Sequence, residues 1–200
     1  MSHYYINDKS LKSNQKEIDF SCLGITLKLT TDNGVFSKRG IDFGSKLLLE
    51  NIALKSPKTI IDMGAGYGVI GLFLAKKYTD SKVTLFDINE RAIELIDKNI
   101  KNNLIDNAIA ILSDRFEKCD FKADLIVTNP PIRAGKKVVF SIYDESRDHL
   151  KKNGILMIVI QKKQGALSSF AYLETLFDEV KIIDRSKGYQ IIQAKFPKMY

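Results

Sequence analysis

The stretch Thr59-Ile60-Ile61-Asp62-Met63-Gly64-Ala65-Gly66-Tyr67-Gly68 constrains this chain more than any other. An apolar run ends in three alternating glycines, and a helical pattern takes over. Pro57 breaks the chain ahead of it, and Thr59 to Asp62 reads as a short buried strand. Gly68 to Tyr78 reads as a helix, with Val69, Leu72, Phe73 and Tyr78 at compatible spacings. Glycines at such a turn let the backbone bend sharply and let a ligand approach the peptide groups. The helix N-terminus behind them offers unpaired N–H donors. In open α/β sheets ligands bind at this place, the carboxyl end of a strand.

The pattern repeats down the chain. Strands are predicted over 83–87, 108–112, 123–128 and 155–160. Helices are predicted from Asn89, as cap, to about Asn102, over 138–152 with a stop at Asn153-Gly154, and over 167–176. Two β-rich runs close the sequence, 180–184 and 189–196, and the tight Ser186-Lys187-Gly188 link between them predicts an antiparallel hairpin. Strand–helix alternation implies a doubly wound, mostly parallel sheet with helices on both faces, the last strand lying antiparallel at an edge. Ahead of this, 18–20 and 25–30 predict a small hairpin turning near Leu23-Gly24, and 42–54 a helix. The expected organisation is an N-terminal extension, 1–55, packed on a catalytic domain, 56–200.

The chain has 200 residues and 44% hydrophobic content, enough for one domain with a substantial core. Its longest apolar run, Ile155 to Ile160, is strand-sized, and Met1 to Tyr5 carries no apolar signal core. Cys22 and Cys119 lie far apart with no CxxC spacing and read as buried thiols. His3 and His149 lack metal-ligand spacing, so no metal is expected. These features together predict a cytoplasmic protein. The net charge of +7 admits polyanionic partners without requiring them.

Gly66, Gly68 and Gly71 satisfy the G-x-G-x-x-G pattern of dinucleotide sites, and Asp87 ends the next strand about 20 residues on, where an acid bonds ribose hydroxyls. Two features favour S-adenosylmethionine over a nicotinamide cofactor. The run begins Asp62-x-Gly64-x-Gly66, setting an acid where a pyrophosphate would be repelled and where a methionine amino group would be welcome. No later segment supplies an obvious hydride-transfer acid or base. Asp62, Gly64, Gly66, Gly68, Asp87 and the adjoining Ile88 are therefore cofactor candidates. Asp114 follows the third strand, where it could accept from an adenine amine or simply cap a helix.

After the fourth strand comes Thr128-Asn129-Pro130-Pro131-Ile132-Arg133. Two prolines stiffen the backbone, remove two N–H donors and hold Asn129 extended. What remains is a rigid pair of acceptors, the Asn129 side-chain oxygen and the Pro130 carbonyl. Accepting both hydrogens of a planar NH2 group localises its lone pair toward an incoming methyl group. Positioning and electrostatics then carry the displacement without a strong base. Asn129, Pro130 and Pro131 are the catalytic candidates, and Asn129 also faces the cofactor.

These motifs resemble those of class I methyltransferases that modify planar NH2 nitrogens. More narrowly, Gly34-Val35-Phe36-Ser37-Lys38-Arg39-Gly40-Ile41-Asp42-Phe43-Gly44-Ser45, taken with Asn129-Pro130-Pro131, resembles the small-domain 16S ribosomal RNA guanine-N2 methyltransferases over residues 20 to 196. The resemblance implies a seven-stranded sheet with its last strand antiparallel, S-adenosylmethionine as donor, and guanine N2 as acceptor. The partner it implies is ribosomal RNA or the small ribosomal subunit. Larger members carry a second, degenerate half that is missing here. Ile132 stands where many amine methyltransferases have a stacking aromatic, a role left to Phe36.

Arg133 and Lys136 after the catalytic loop, and Lys38-Arg39 in the N-terminal motif, would set cations at the pocket mouth for a phosphate backbone. Basic pairs at Lys151-Lys152 and Lys162-Lys163 keep a plain surface-charge reading open. Three other functions compete: a protein glutamine methyltransferase using the same loop, a nicotinamide-dependent oxidoreductase, and a non-catalytic RNA-binding module. The sequence does not fix an oligomeric state.

Overall fold

A computed structural model describes residues 12–35 and 41–198. A hairpin of β1 (Lys16–Cys22) and β2 (Ile25–Thr31) comes first, then α1 (Phe43–Glu50). Five strands follow with their helices: β3 (Thr59–Met63), α2 (Val69–Lys77), β4 (Lys82–Asp87), α3 (Glu90–Asn102), β5 (Ala108–Leu112), β6 (Ala123–Thr128), α4 (Lys136–Asp148) and β7 (Leu150–Gln161). The chain ends in α5 (Ala166–Leu176), β8 (Phe177–Ser186) and β9 (Tyr189–Pro197). The large sheet has seven strands in the order β5-β4-β3-β6-β7-β9-β8. It is parallel except at β9, which runs antiparallel to both neighbours.

The chain winds outward from β3 through β4 to β5, then returns to place β6 on the other side of β3. That reversal opens a crevice at the carboxyl ends of β3 and β6. Period-2 alternation divides the side chains between two cores. Ile60, Leu125, Val127, Met157, Val159 and Ile191 pack with α1, α2, α3 and the hairpin. Their immediate neighbours Ile61, Ile126, Leu156, Ile158 and Ile192 pack with α4 and α5. Burial on both faces is why these strands read as continuous apolar runs.

Asn99 on α3 and Asn103, which caps the helix one turn later, fasten the hairpin. Asn103 exchanges both hydrogen bonds with the backbone of Lys28 (2.9 and 2.8 Å), and Asn99 does the same with Thr30 (2.6 and 3.0 Å). Each amide thereby completes the exposed edge of β2 as another strand would. Asn99 also donates to the Tyr67 carbonyl at 2.9 Å, so the hairpin and the glycine loop share one anchor.

Three expectations change. The final strand is antiparallel as predicted, but it is interior: β9 contributes Ile191, Ile192 and Ala194 to the two cores, while the more polar β8 forms the edge. The helix expected over 138–152 spans Lys136–Asp148, and β7 begins at Leu150. Gly154 is a close-approach site within that strand, since a Cβ there would lie 2.8 Å from the Ala123 carbonyl, beside a register shift in β6. Helix α1 stops at Glu50, where the Asn51 side chain turns to bond the Leu47 carbonyl and the Asp184 carboxylate on β8. Both cysteines are buried free thiols. Among the described residues no helix is long and apolar enough to cross a membrane.

Candidate active site

A cavity of about 300 Å³ opens at the switch point between β3 and β6. Its walls come from the loops after four strands: Gly64 to Tyr67, Asp87 to Asn89, Ser113 to Arg115, and Asn129 to Pro131. Val35, Asp42 and Ser45 close it from the N-terminal side.

The glycine loop is shaped as its composition demands. Gly64 and Gly66 have φ of 73° and 60°, and a Cβ at either would meet nothing within 4 Å, so the backbone there borders open space that a ligand can fill. Gly68 does something else: it caps α2 at φ 95°, where a Cβ would press on Leu72 and Ile96 at 3.0–3.2 Å. It lets the loop pack on α3 and is not among the cavity-lining residues.

Asp62 departs from expectation. It is buried beneath the loop instead of lining the cavity, its Oδ2 accepting the Gly71 N–H at 2.7 Å and its Oδ1 without a partner. Strand alternation turns its side chain under α2, where Gly71 leaves room for it. Burial pushes its carboxyl up to about 7; the Gly71 N–H opposes this and the nearby Asp87 charge adds to it. Asp62 supports the loop from below.

Asp87 lines the cavity as expected. Its Oδ2 accepts the Gly66 N–H at 2.8 Å and its Oδ1 the Asn89 N–H at 2.9 Å, leaving lone pairs on both oxygens. Burial raises its carboxyl to about 6 against the opposing pull of the Asn89, Gly66 and Ile88 N–H groups. Ile88 is an exposed apolar side chain on the same wall. Asp114 also lines the cavity and pairs with Arg115 at 3.0 Å, and Arg115 is held in turn by Glu145 at 2.6 Å.

The Asn-Pro-Pro loop shows a feature the sequence reading missed. The Asn129 amide donates to Asp42 Oδ2 and to Ser45 Oγ, both at 3.1 Å. A carboxylate only accepts, so Asp42 fixes which end of the amide is NH2 and leaves Oδ1 as the free acceptor. Asp42 is itself fixed: it caps α1 through the Ser45 N–H at 3.2 Å and accepts the Tyr189 hydroxyl at 2.8 Å. The signal was in the sequence, an Asp-x-x-Ser at a helix start, but its contact with residue 129 spans 87 positions. Pro130 is buried, and its carbonyl accepts the Ile132 N–H at 2.8 Å in a tight turn at Pro131 (φ −74°, ψ 78°), which leaves it one lone pair.

Arg133 and Lys136 are exposed outside the cavity wall, with the Lys136 ammonium 4.9 Å from the centre of the Phe140 ring. Ile132 packs toward the α4–α5 core. Phe36, Lys38 and Arg39 lie outside the described residues. His149 caps α4 and bonds the Glu145 and Cys119 carbonyls, a structural role. No cluster of metal-ligating side chains occurs among the described residues.

A switch-point cavity with a glycine loop, a strand-end acid and an Asn-Pro-Pro wall is the architecture of a class I methyltransferase. The family model of the methyltransferase small domain matches residues 26–193, and the chain belongs to that family as an S-adenosylmethionine-dependent enzyme. The uncharacterised Bacillus subtilis protein YbxB is 47% identical, covering 96% of this chain and 98% of that protein. The ribosomal RNA small subunit methyltransferase C of Buchnera aphidicola is 39% identical over 80% of this chain and 47% of its own length. Among solved structures, the 16S rRNA guanine-N2 methyltransferase of T. thermophilus, RsmC, held with AdoMet and guanosine, superposes with a TM-score of 0.81 at 24% identity. It covers 92% of this chain and 51% of that one. The chain thus spans about half the length of these two ribosomal RNA methyltransferases.

Proposed function

We propose that this enzyme methylates the exocyclic N2 amine of a guanine in small-subunit ribosomal RNA. One observation carries the reading: the Asn129 amide is locked by Asp42 and Ser45 with its oxygen left to accept. Bound S-adenosylmethionine supplies an electrophilic methyl carbon on a sulfonium. In this reading Gly64 and Gly66 take the donor close to the backbone, Asp87 accepts from its ribose hydroxyls, and Ile88 and Asp114 border its adenine. Asn129 Oδ1 and the remaining lone pair of the Pro130 carbonyl accept the two amine hydrogens and aim the nitrogen lone pair. Fixed dipoles of this kind need no reorganisation as charge develops. Residues 1–55 serve as an extension on the catalytic domain, 56–200, and the enzyme acts in the cytoplasm.

Relatives named for small-subunit ribosomal RNA methylation support the acceptor. Ile132 argues against a glutamine side-chain acceptor, because it faces the α4–α5 core and supplies no aromatic wall. The test is methyl transfer from labelled donor to ribosomal RNA, followed by digestion to nucleosides. Label in N2-methylguanosine is expected; label in adenosine, or only in protein, overturns the assignment.

A further inference from the structure

We propose that the RNA backbone crosses the carboxyl edge over β6, β7 and the β8–β9 turn, held by Lys162, Lys163 and Lys187 on the side of Asn129 away from the donor. The inference rests on the reading of this enzyme as an RNA methyltransferase and says where its substrate lies.

Strand order carries the argument. Three segments rise at this end of the sheet beyond Asn129: 132–137 leading from β6 into α4, 161–165 at the end of β7, and 185–188 across the β8–β9 turn. The last belongs to the same edge because Tyr189, the first residue of β9, pairs with Gln161, the last of β7, and the Gly188 carbonyl accepts the Lys162 N–H at 2.8 Å. These segments hold Arg133, Lys136, Lys137, Lys162, Lys163, Arg185 and Lys187 and no carboxylate. All seven side chains are exposed. Over the other half, 87–91 and the loop 113–122 hold Asp87, Glu90, Asp114, Glu117 and Asp120 against Arg91, Arg115, Lys118 and Lys122. A polyanion entering at Asn129 meets nearly balanced charge on the β4–β5 side and is drawn over the β7–β8 side.

The structure also separates two lysine pairs that look alike in sequence. Lys151-Lys152 begin β7 ahead of its bulge and Lys162-Lys163 follow its end, so the strand sets them roughly 25 Å apart on opposite edges of the sheet. Lys151 is already paired with Asp124 at 2.9 Å. Lys187 lies over the Phe43 ring at 4.7 Å, and Phe43 and Tyr189 flank Asp42. The basic edge is therefore continuous with the network that orients Asn129.

The experiment compares the full-length triple variant K162Q/K163Q/K187Q with K58Q/K122Q/K152Q. The control removes equal charge from exposed positions at the amino ends of β3, β6 and β7. Affinity for a 16S ribosomal RNA fragment is measured against salt concentration, and S-adenosylmethionine affinity by calorimetry. The first variant is expected to lower the slope of log affinity on log salt by about 2–3 and to weaken binding roughly 20-fold, with donor affinity unchanged. The control is expected to match wild type. Equal effects of the two triples, or a wild-type slope in the first, overturn the proposed path while RNA methylation by the wild type still stands. Loss of binding to anionic lipid vesicles, with RNA binding intact, overturns it in favour of a membrane surface. If the wild type neither binds nor methylates RNA, the ribosomal RNA reading itself fails.

Discussion

The loops after β3, β4 and β5 and the loops beyond β6 share one edge of one sheet, yet they are built differently. The first group is folded onto itself: Asp87 is tied to Gly66 and Asn89, and Asp62 to Gly71 beneath the loop. Backbone donors and buried carboxylates define a shape there before any ligand arrives. The second group is exposed and cationic, and its fixed element is the single Asn129 amide. On the proposed reading, a small, constant donor calls for a preformed cradle, whereas a long polyanion would be drawn in by charge with only its reacting amine held rigidly.

The sharpest way to break this comparison is Asn129→Ala. Turnover should fall by about 10²–10³-fold, the scale for losing one preorganised polar partner, with donor affinity within a few-fold of wild type. Single-turnover kinetics with calorimetry check both halves; a parallel loss of donor affinity would erase the division.

Asp87→Ala should do the reverse. Losing hydrogen bonds to a charged group costs about 1.5–3 kcal/mol, so donor affinity should drop about 10- to 150-fold while turnover at saturating donor holds. Because the ionised carboxylate is the acceptor and its carboxyl sits at about 6, wild-type donor affinity should weaken as pH falls through that value. A pH titration in which Asp87→Ala shows the same dependence as wild type would refute the assignment.

Asp42→Asn sits on the boundary and sharpens it. The new amide can present either end to residue 129, so the Asn129 amide is free to flip and kcat should fall on the order of 10-fold with little change in donor KM. Combined with Asn129→Ala it should add almost nothing, since Asp42 acts through that side chain. Additive losses would mean that Asp42 touches the substrate itself.

The smallest effect concerns stability. The folded Asp62 carboxyl lies near 7, above its unfolded value of 3.8, so the folded state holds the proton more tightly and stability falls as pH rises between those values. Asp62→Asn retains an oxygen for the Gly71 N–H and carries no charge. Its melting temperature minus that of wild type should be smallest at about pH 4, already higher at about pH 5, and several degrees higher by about pH 8. A difference independent of pH would place the Asp62 charge elsewhere.

Much of the site was legible in the sequence because its signals are local. A glycine needing positive φ at a strand–helix turn, an acid about 20 residues on, and two prolines after an asparagine are dictated within a few residues. Boundaries failed where a local signal had two meanings. Asn153-Gly154 stops helices as readily as it admits a neighbouring strand, and only the Ala123 carbonyl beside it decides between them. The place of β9 failed for a related reason: both final strands carry β-type runs, and their order depends on which can be buried on two faces.

The sequence by itself determined the fold class and the placing of the glycine loop, Asp87 and Asn129-Pro130 at strand ends, since periodicity and backbone sterics act over short spans. Only the tertiary structure decided that Asp42, 87 residues away, orients that amide, and that Asp62 is a buried support. It alone divided the lysine pairs at 151–152 and 162–163 between opposite edges. A parallel sheet gathers one end of every strand on one face of the molecule, and no sequence interval records which charges meet there.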